Sequence, residues 1–303
     1  MIKVILITGF LGAGKTSLVN NLLKIKKKKV GVLVNEFGKT GIDGKLIKGT
    51  EENITELNNG SIFCSCIKED FIQALSEMKG YDIEYLFIEA SGLSDPSNIK
   101  KILEVVEKVH NYKYDFSGSI CMVDAQYFLK QYELLPSLKR QIQHSSTIII
   151  NKMDLQNDEE IKKIEGLIKK INPESYIVKT QFSHIDKNIF NEMKDNKRPP
   201  KESTNVWENR PKTLYLKSDV SLDIISLEKF LKEINGSTYR IKGFVNTDKG
   251  LYKISSVNKQ LEISPWTDTE ESTQIVIISS VGIKIISLVT KAKNQYLNDL
   301  NIQ

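Results

Sequence analysis

Residues Gly9-Phe-Leu-Gly-Ala-Gly14-Lys15-Thr16 constrain this chain more than any other stretch. They follow an apolar run, "VILIT", that reads as a strand, and they lead into a segment that reads as a helix. In that setting the spacing is the phosphate-loop (Walker A) pattern, and each part has a physical task. Glycines let the backbone turn its N–H groups toward phosphate oxygens. Lys15 reaches the β- and γ-phosphates, the Thr16 hydroxyl holds Mg²⁺, and the following helix brings its positive end to the same anion. Gly9, Gly12, Ala13, Gly14, Lys15, Thr16 and Ser17 are therefore the candidate residues for the triphosphate end.

The rest of the first two thirds repeats that rhythm. "VGVLVN", "YLFIEA", "SGSICMVDA", "STIIIN" and "SYIVKT" read as strands, separated by helical stretches after Pro96 and after Asn157, an N-cap candidate. Strands that are apolar on both faces and alternate with helices predict an α/β fold, a parallel sheet covered on both sides. The Lys run from Lys24 to Lys29 reads as a helix end, where cations complement the helix dipole, rather than as a nucleic-acid patch. Residues 194–212 are polar, carry Pro199, Pro200 and Pro211, and read as a linker between a domain over 1–193 and a second over 213–303. Beyond the linker come "TLYLKS", a helix at "SLEKFLKEI", the strands "YRIKGFVN", "GLYKISSV", "QLEISP" and "TQIVIISS", and a helix that runs to the end. That order predicts a smaller α+β domain with an antiparallel sheet.

Asn151-Lys-Met-Asp154 directly follows the apolar run "STIII" and bears on the choice of base. A carboxylate at Asp154 can accept from the ring N–H and exocyclic amine of guanine, a donor pair adenine lacks. Lys152 is expected over the base, and Asn151 is expected to brace the loops. An adenosine-specific kinase or ATPase is the competing reading. Glu89-Ala-Ser-Gly92 closes "YLFIEA" and is the candidate γ-phosphate sensor. Glu89 would position Mg²⁺ and the Gly92 N–H would bond the γ-phosphate; otherwise Glu89 caps the helix that follows. Lys15, Thr16, Glu89 and Gly92 are the candidate catalytic residues. No glutamine follows Gly92, where Leu93 stands, so no residue is singled out to position the attacking water. Slow turnover, accelerated by a partner or a metal, is the expectation.

"NGSIFCSC" holds Cys64 and Cys66, two of three cysteines in 303 residues. Two thiolates at this spacing suit one soft or borderline ion such as Zn²⁺ or Co²⁺. Glu36, Asp43 and also Glu69 or Asp70 are candidate helpers. Two buried apolar thiols are the competing reading. The histidines at 110, 144 and 184 are scattered and read as ordinary residues. "NEFGKTGIDG" lies where a nucleotide-dependent loop belongs, so phosphate state and metal site would be coupled through it. Three cysteines do not make a disulfide framework, which predicts a reducing, cytoplasmic setting. No membrane segment is legible.

Taken together, "ITGFLGAGKTSLVNNLL", "VNEFGKTGIDGKLI", "NGSIFCSC", "IEASGLSDP", "NKMDL" and "YRIKGFV" resemble the CobW family of P-loop GTPases. The family is related to the nickel-insertion GTPases of urease and hydrogenase. The resemblance implies a GTPase domain, a smaller C-terminal α+β domain, and GTP-dependent delivery of zinc, cobalt or another transition ion to a client metalloprotein or corrinoid-related protein. It also carries the expectation of a homodimer paired across the nucleotide. Family members have Cys-x-Cys-Cys after Asn-Gly. Here Ser61 and Phe63 take the first two places, Cys64 the third, and Cys66 is extra. A nucleotide-gated interaction switch with no metal role is the alternative function.

Overall fold

A computed structural model describes residues 1–25, 29–36, 54–58, 68–193, 198–199, 211–267 and 272–302. The chain divides into two compact units, Met1–Asn209 and Arg210–Gln303.

In the first unit, β1 (Lys3–Gly9) sits in the middle of a seven-stranded sheet. Its companions are β2 (Val30–Glu36), β3 (Ile54–Asn58), β4 (Tyr85–Glu89), β5 (Asp115–Asp124), β6 (Thr147–Asn151) and β7 (Tyr176–Lys179), in the spatial order β3-β2-β4-β1-β5-β6-β7. Every pairing is parallel. Successive β1 residues enter opposite cores, which is why the strand is apolar throughout. Val4 and Leu6 join Phe71, Leu75, Ile102 and Val106 on one face. Ile5 and Ile7 join Leu18, Val19, Leu22 and Ile189 on the other. The first face is covered by α2 (Lys68–Met78) and α3 (Ile99–His110), the second by α1 (Lys15–Ile25) and the short α7 (Ile189–Glu192). Lys24 lies in the last turn of α1, and Lys26, Lys27 and Lys28 lie outside the described residues.

Between β5 and β6 run α4 (Phe128–Leu134) and α5 (Pro136–Gln143). After β6 comes α6 (Asp158–Ile171), whose N-cap Asn157 accepts from the Glu160 N–H at 2.9 Å. Three acidic residues in its first turn and two lysines in its last complement its dipole. Because the strands are parallel, their C-terminal ends all open on one edge, where ligands of open α/β sheets bind. That edge carries Gly9, Glu89, Asp124 and Asn151. The stretch 194–212 lies largely outside the described residues.

The second unit holds β8 (Thr213–Ser218), α8 (Ile224–Asn235), β9 (Thr238–Thr247), β10 (Gly250–Val257), β11 (Gln260–Pro265), β12 (Thr273–Ser279), α9 (Lys284–Tyr296) and β13 (Asn301–Ile302). Its six-stranded sheet, ordered β11-β10-β9-β12-β8-β13, is antiparallel throughout. Leu227, Phe230, Leu231, Ile285 and Val289 from the helices pack on Leu216, Ile241, Ile275 and Ile277 of the strands. The expectation of a helix to the end of the chain is corrected here. Leu297 leaves the helical region at φ −145°, ψ 74°, and Leu297 and Leu300 are buried in the core. That turn lets β13 pair with β8. Among the described residues no helix is long and apolar enough to cross a membrane.

Candidate nucleotide site

The loop after β1 takes a path only glycine follows comfortably. Gly9, Gly12 and Gly14 have φ of +130°, +77° and +104°. A side chain at Gly9 would place its Cβ 2.3 Å from the Met122 carbonyl oxygen. One at Gly14 would meet the Asn151 amide nitrogen at 2.5 Å. Ala13 is fully buried, and Ser17 faces solvent on the first turn of α1. Lys15 is buried, and its ammonium donates to the Phe10 carbonyl at 3.1 Å.

Glu89 closes β4 and is 4% exposed. Its carboxylate accepts from the Thr16 hydroxyl at 2.9 Å, across 73 residues of chain. It does not cap the next helical stretch. Asp95 does that, accepting from the Ser97 N–H at 3.0 Å ahead of the 3₁₀ turn Pro96–Asn98. The Thr16 and Glu89 oxygens are a hard donor pair 2.9 Å apart, and neighbouring corners of an octahedron with bonds of about 2.1 Å are separated by about 3.0 Å. The residues present therefore fit Mg²⁺.

Gly92 packs against the phosphate loop so closely that a Cβ there would lie 2.7 Å from the Leu11 backbone nitrogen. The carbonyls of Gly92 and Ser94 accept from the Gln141 amide of α5, at 3.2 and 2.9 Å. Gln141 is fully buried, and no local motif marks it as part of this site.

At the other end, Asn151 ties three segments together. Its amide nitrogen donates to the Ala13 carbonyl at 2.9 Å and to the Ser183 hydroxyl at 3.1 Å, while its amide oxygen accepts from the Ser183 N–H at 2.9 Å. The Ser183 hydroxyl in turn donates to the Gly14 carbonyl at 3.1 Å. Lys152 takes a left-handed backbone, φ +60°, and its ammonium pairs with Asp124 at 2.7 Å. Asp124 ends β5, is 1% exposed in its side chain, and also accepts from the Gln126 N–H at 3.0 Å. Asp124 and Ser183 are two more residues that sequence reasoning missed; the signal for both was position, Asp124 as the last residue of β5 and Ser183 just past the end of β7, the strands flanking β6. Asp154 is exposed and lines a cavity of about 750 Å³ with Thr180, Phe182 and His184.

Asp43, Cys64 and Cys66 lie outside the described residues. Glu36 ends β2 opposite Asn58 of β3, and its side chain likewise falls outside them. Glu69 is exposed on α2. Among the described residues no three His, Cys, Asp or Glu side chains are placed to hold one metal ion. Cys121 is fully buried in β5; burial pushes its thiol up to about 12, with Lys15 pulling weakly the other way. His110 is 3.0 Å from the Ser76 hydroxyl, an ordinary hydrogen-bonded partner.

Comparison with known proteins agrees with this geometry. Residues 3–179 match the family described as CobW/HypB/UreG, nucleotide-binding domain. The chain belongs to that family. Residues 212–287 of this CobW-family chain match the Cobalamin synthesis protein cobW C-terminal domain. Among curated relatives, Zinc-regulated GTPase metalloprotein activator 1 of Dictyostelium discoideum is 32% identical over 63% of this chain and 48% of its own length. Zinc chaperone YjiA of Escherichia coli is 26% identical over 91% of this chain and 93% of its own. The chain thus spans about half the length of the Dictyostelium relative. Among solved structures, Zn(II)-bound YjiA GTPase from E. coli is 19% identical, with 97% of this chain and 98% of that chain covered and a TM-score of 0.47.

Proposed function

We propose that this chain binds and hydrolyses GTP with Mg²⁺, and that its nucleotide state governs the binding or delivery of a transition metal, zinc or cobalt, to a client protein in the cytoplasm. The observation that carries the nucleotide half is the Asn151 bridge. One side chain joins the phosphate loop at Ala13 to the loop beside Asp154, so both ends of a nucleotide would meet a single braced frame. Asp154, exposed in its cavity, is free to accept the paired N–H groups of guanine.

On binding, the Lys15 ammonium would exchange the Phe10 carbonyl for phosphate oxygens, a charged acceptor for a neutral one. Thr16 and Glu89 would hold Mg²⁺, which would supply positive charge to offset the negative charge on the phosphates as the terminal bond breaks. Water attacks the γ-phosphorus in line with the leaving oxygen. Loop N–H groups and Lys15 stabilise the charge on the departing diphosphate. The Gly92 loop, held against Leu11 and by Gln141, would contact the γ-phosphate.

The metal half is supported by sheet order and by the relatives' names. β2 lies between β4, which ends in Glu89, and β3, which ends at Asn58 directly before "NGSIFCSC". Of the two curated relatives described above, one is named a zinc chaperone and the other a zinc-regulated GTPase metalloprotein activator. Cys64 and Cys66, helped by Glu36 and Asp43, would hold the ion as cargo. An incompletely caged ion exchanges, which suits a carrier.

Calorimetry tests both halves. GTP is expected to bind at least about tenfold more tightly than ATP. Zn²⁺ or Co²⁺ affinity is expected to differ at least about fivefold between the GTP-analogue and GDP forms, and to collapse in the C64S/C66S variant. Equal GTP and ATP affinity overturns the guanine reading. Metal affinity unchanged by C64S/C66S leaves the nucleotide-gated interaction switch as the function.

A further inference from the structure

Phe182 is 70% exposed, and it lines the cavity that holds Asp154. Single exposed apolar side chains are common on protein surfaces, but this one sits on an unusual backbone. Phe182 and Ser183 are consecutive L-residues with φ of +55° and +56°, in the left-handed region that costs a side chain energy. Such a conformation persists only when its surroundings enforce it, and an enforced one points toward function.

The enforcement comes from the nucleotide site. The Asn21 amide of α1 donates to the carbonyls of Phe182 and Ser183 at 3.2 and 2.9 Å. Asn151 accepts from the Ser183 N–H, and the Ser183 hydroxyl donates to the Gly14 carbonyl. With the Asn151 amide's bond to the Ser183 hydroxyl, five hydrogen bonds from the phosphate loop, α1 and β6 thus hold an apolar ring in solvent beside a carboxylate.

A purine base has a polar edge and a flat apolar face. Asp154 answers the edge. A flat base has two such faces; Lys152, its ammonium paired with Asp124, is expected to lay its apolar stem over one and leaves the other for a second side chain. We propose that Phe182 is a further base-binding residue of this site, the aromatic surface on which the nucleobase stacks, adding affinity while Asp154 selects the base. This rests on the guanine-nucleotide reading above. The left-handed turn is the device that turns the ring out of the protein and into the slot.

The test is calorimetry of wild type, F182W, F182A and F182G with Mg²⁺ and either GTP or inorganic triphosphate. F182W is expected to keep GTP affinity within about threefold, and F182A and F182G to lose roughly tenfold or more, the range for removing one base–aromatic stack. Inorganic triphosphate, which has no base, is expected to bind all four proteins alike. F182G separates the ring from the backbone, because glycine adopts this φ without strain. F182A or F182G binding GTP as tightly as wild type overturns the proposal and leaves the guanine reading standing. Equal proportional loss of GTP and triphosphate affinity overturns it too, because a disturbed loop then explains the loss. Wild type that binds triphosphate but shows no added affinity for GTP overturns the nucleotide reading itself, and this proposal with it.

Discussion

The Asn151 amide donates to the Ala13 carbonyl at 2.9 Å, joining the end of β6 to the phosphate loop across 138 residues of chain. In N151A the buried Ser183 N–H loses its acceptor, and the Ala13 carbonyl loses this donor. The expected cost is about 1–3 kcal/mol of folding stability. GTP affinity should also fall roughly tenfold, because the frame must then be ordered by the ligand. Urea unfolding and nucleotide titration read the two effects.

Asp154 offers acceptors only, which matches the two N–H donors of guanine. Asn at this position keeps one acceptor and gains a donor, so it suits a base with a carbonyl where guanine has its amine. D154N is expected to lose GTP affinity about tenfold or more and to gain affinity for xanthosine triphosphate. Competition binding between the two nucleotides gives the ratio directly.

Glu89 accepts from Thr16 at 2.9 Å and is almost fully buried. E89Q keeps the shape and can still accept that hydrogen bond, but it removes the negative charge that suits a hard cation. Turnover at saturating GTP is expected to fall roughly hundredfold, as when one preorganised charge-stabilising contact is lost. The Mg²⁺ concentration for half-maximal rate should rise as well. Steady-state hydrolysis across a Mg²⁺ series separates this from simple loss of nucleotide binding.

Cys121 gives a pH prediction. Burial favours its neutral thiol, raising the thiol from 9.0 to about 12. Between those values the unfolded chain has released the proton and the folded chain has not. The unfolded state therefore binds fewer protons, and this residue's share of stability declines as pH rises from 9 toward 12. Native protein at pH 8 should leave Cys121 untouched by a thiol reagent, and denatured protein should expose it. Reagent titration with mass mapping of the modified cysteine checks this.

The strands of the first sheet were legible because burial on both faces forces continuous apolar runs, as in Val4 to Ile7. β3 was not, since Ile54-Thr-Glu-Leu-Asn58 at the sheet's edge alternates with polar residues and carries no long apolar run. α4 and α5 escaped for another reason. They are seven and eight residues long, with Pro136 at the start of α5, so neither spans enough turns to show a period. In the site, the motif residues were readable because each chemistry demands one residue type at a fixed spacing. Asp124, Gln141 and Ser183 were not, because each acts on a partner between 28 and 169 residues away and nothing local marks that reach. The second sheet was read strand by strand except β13, a two-residue piece defined by its neighbour β8 rather than by its own sequence.

The Ser183 hydroxyl, bonded at once to the Gly14 carbonyl and the Asn151 amide, has a consequence for ligand size. In the nucleotide reading it would fix the span between the cradle for the tail and the slot for the ring, so the protein would work like a caliper set to one length. A molecule with the right head and a shortened or stretched middle would touch one jaw only, and selection by measure would operate before any bond is broken.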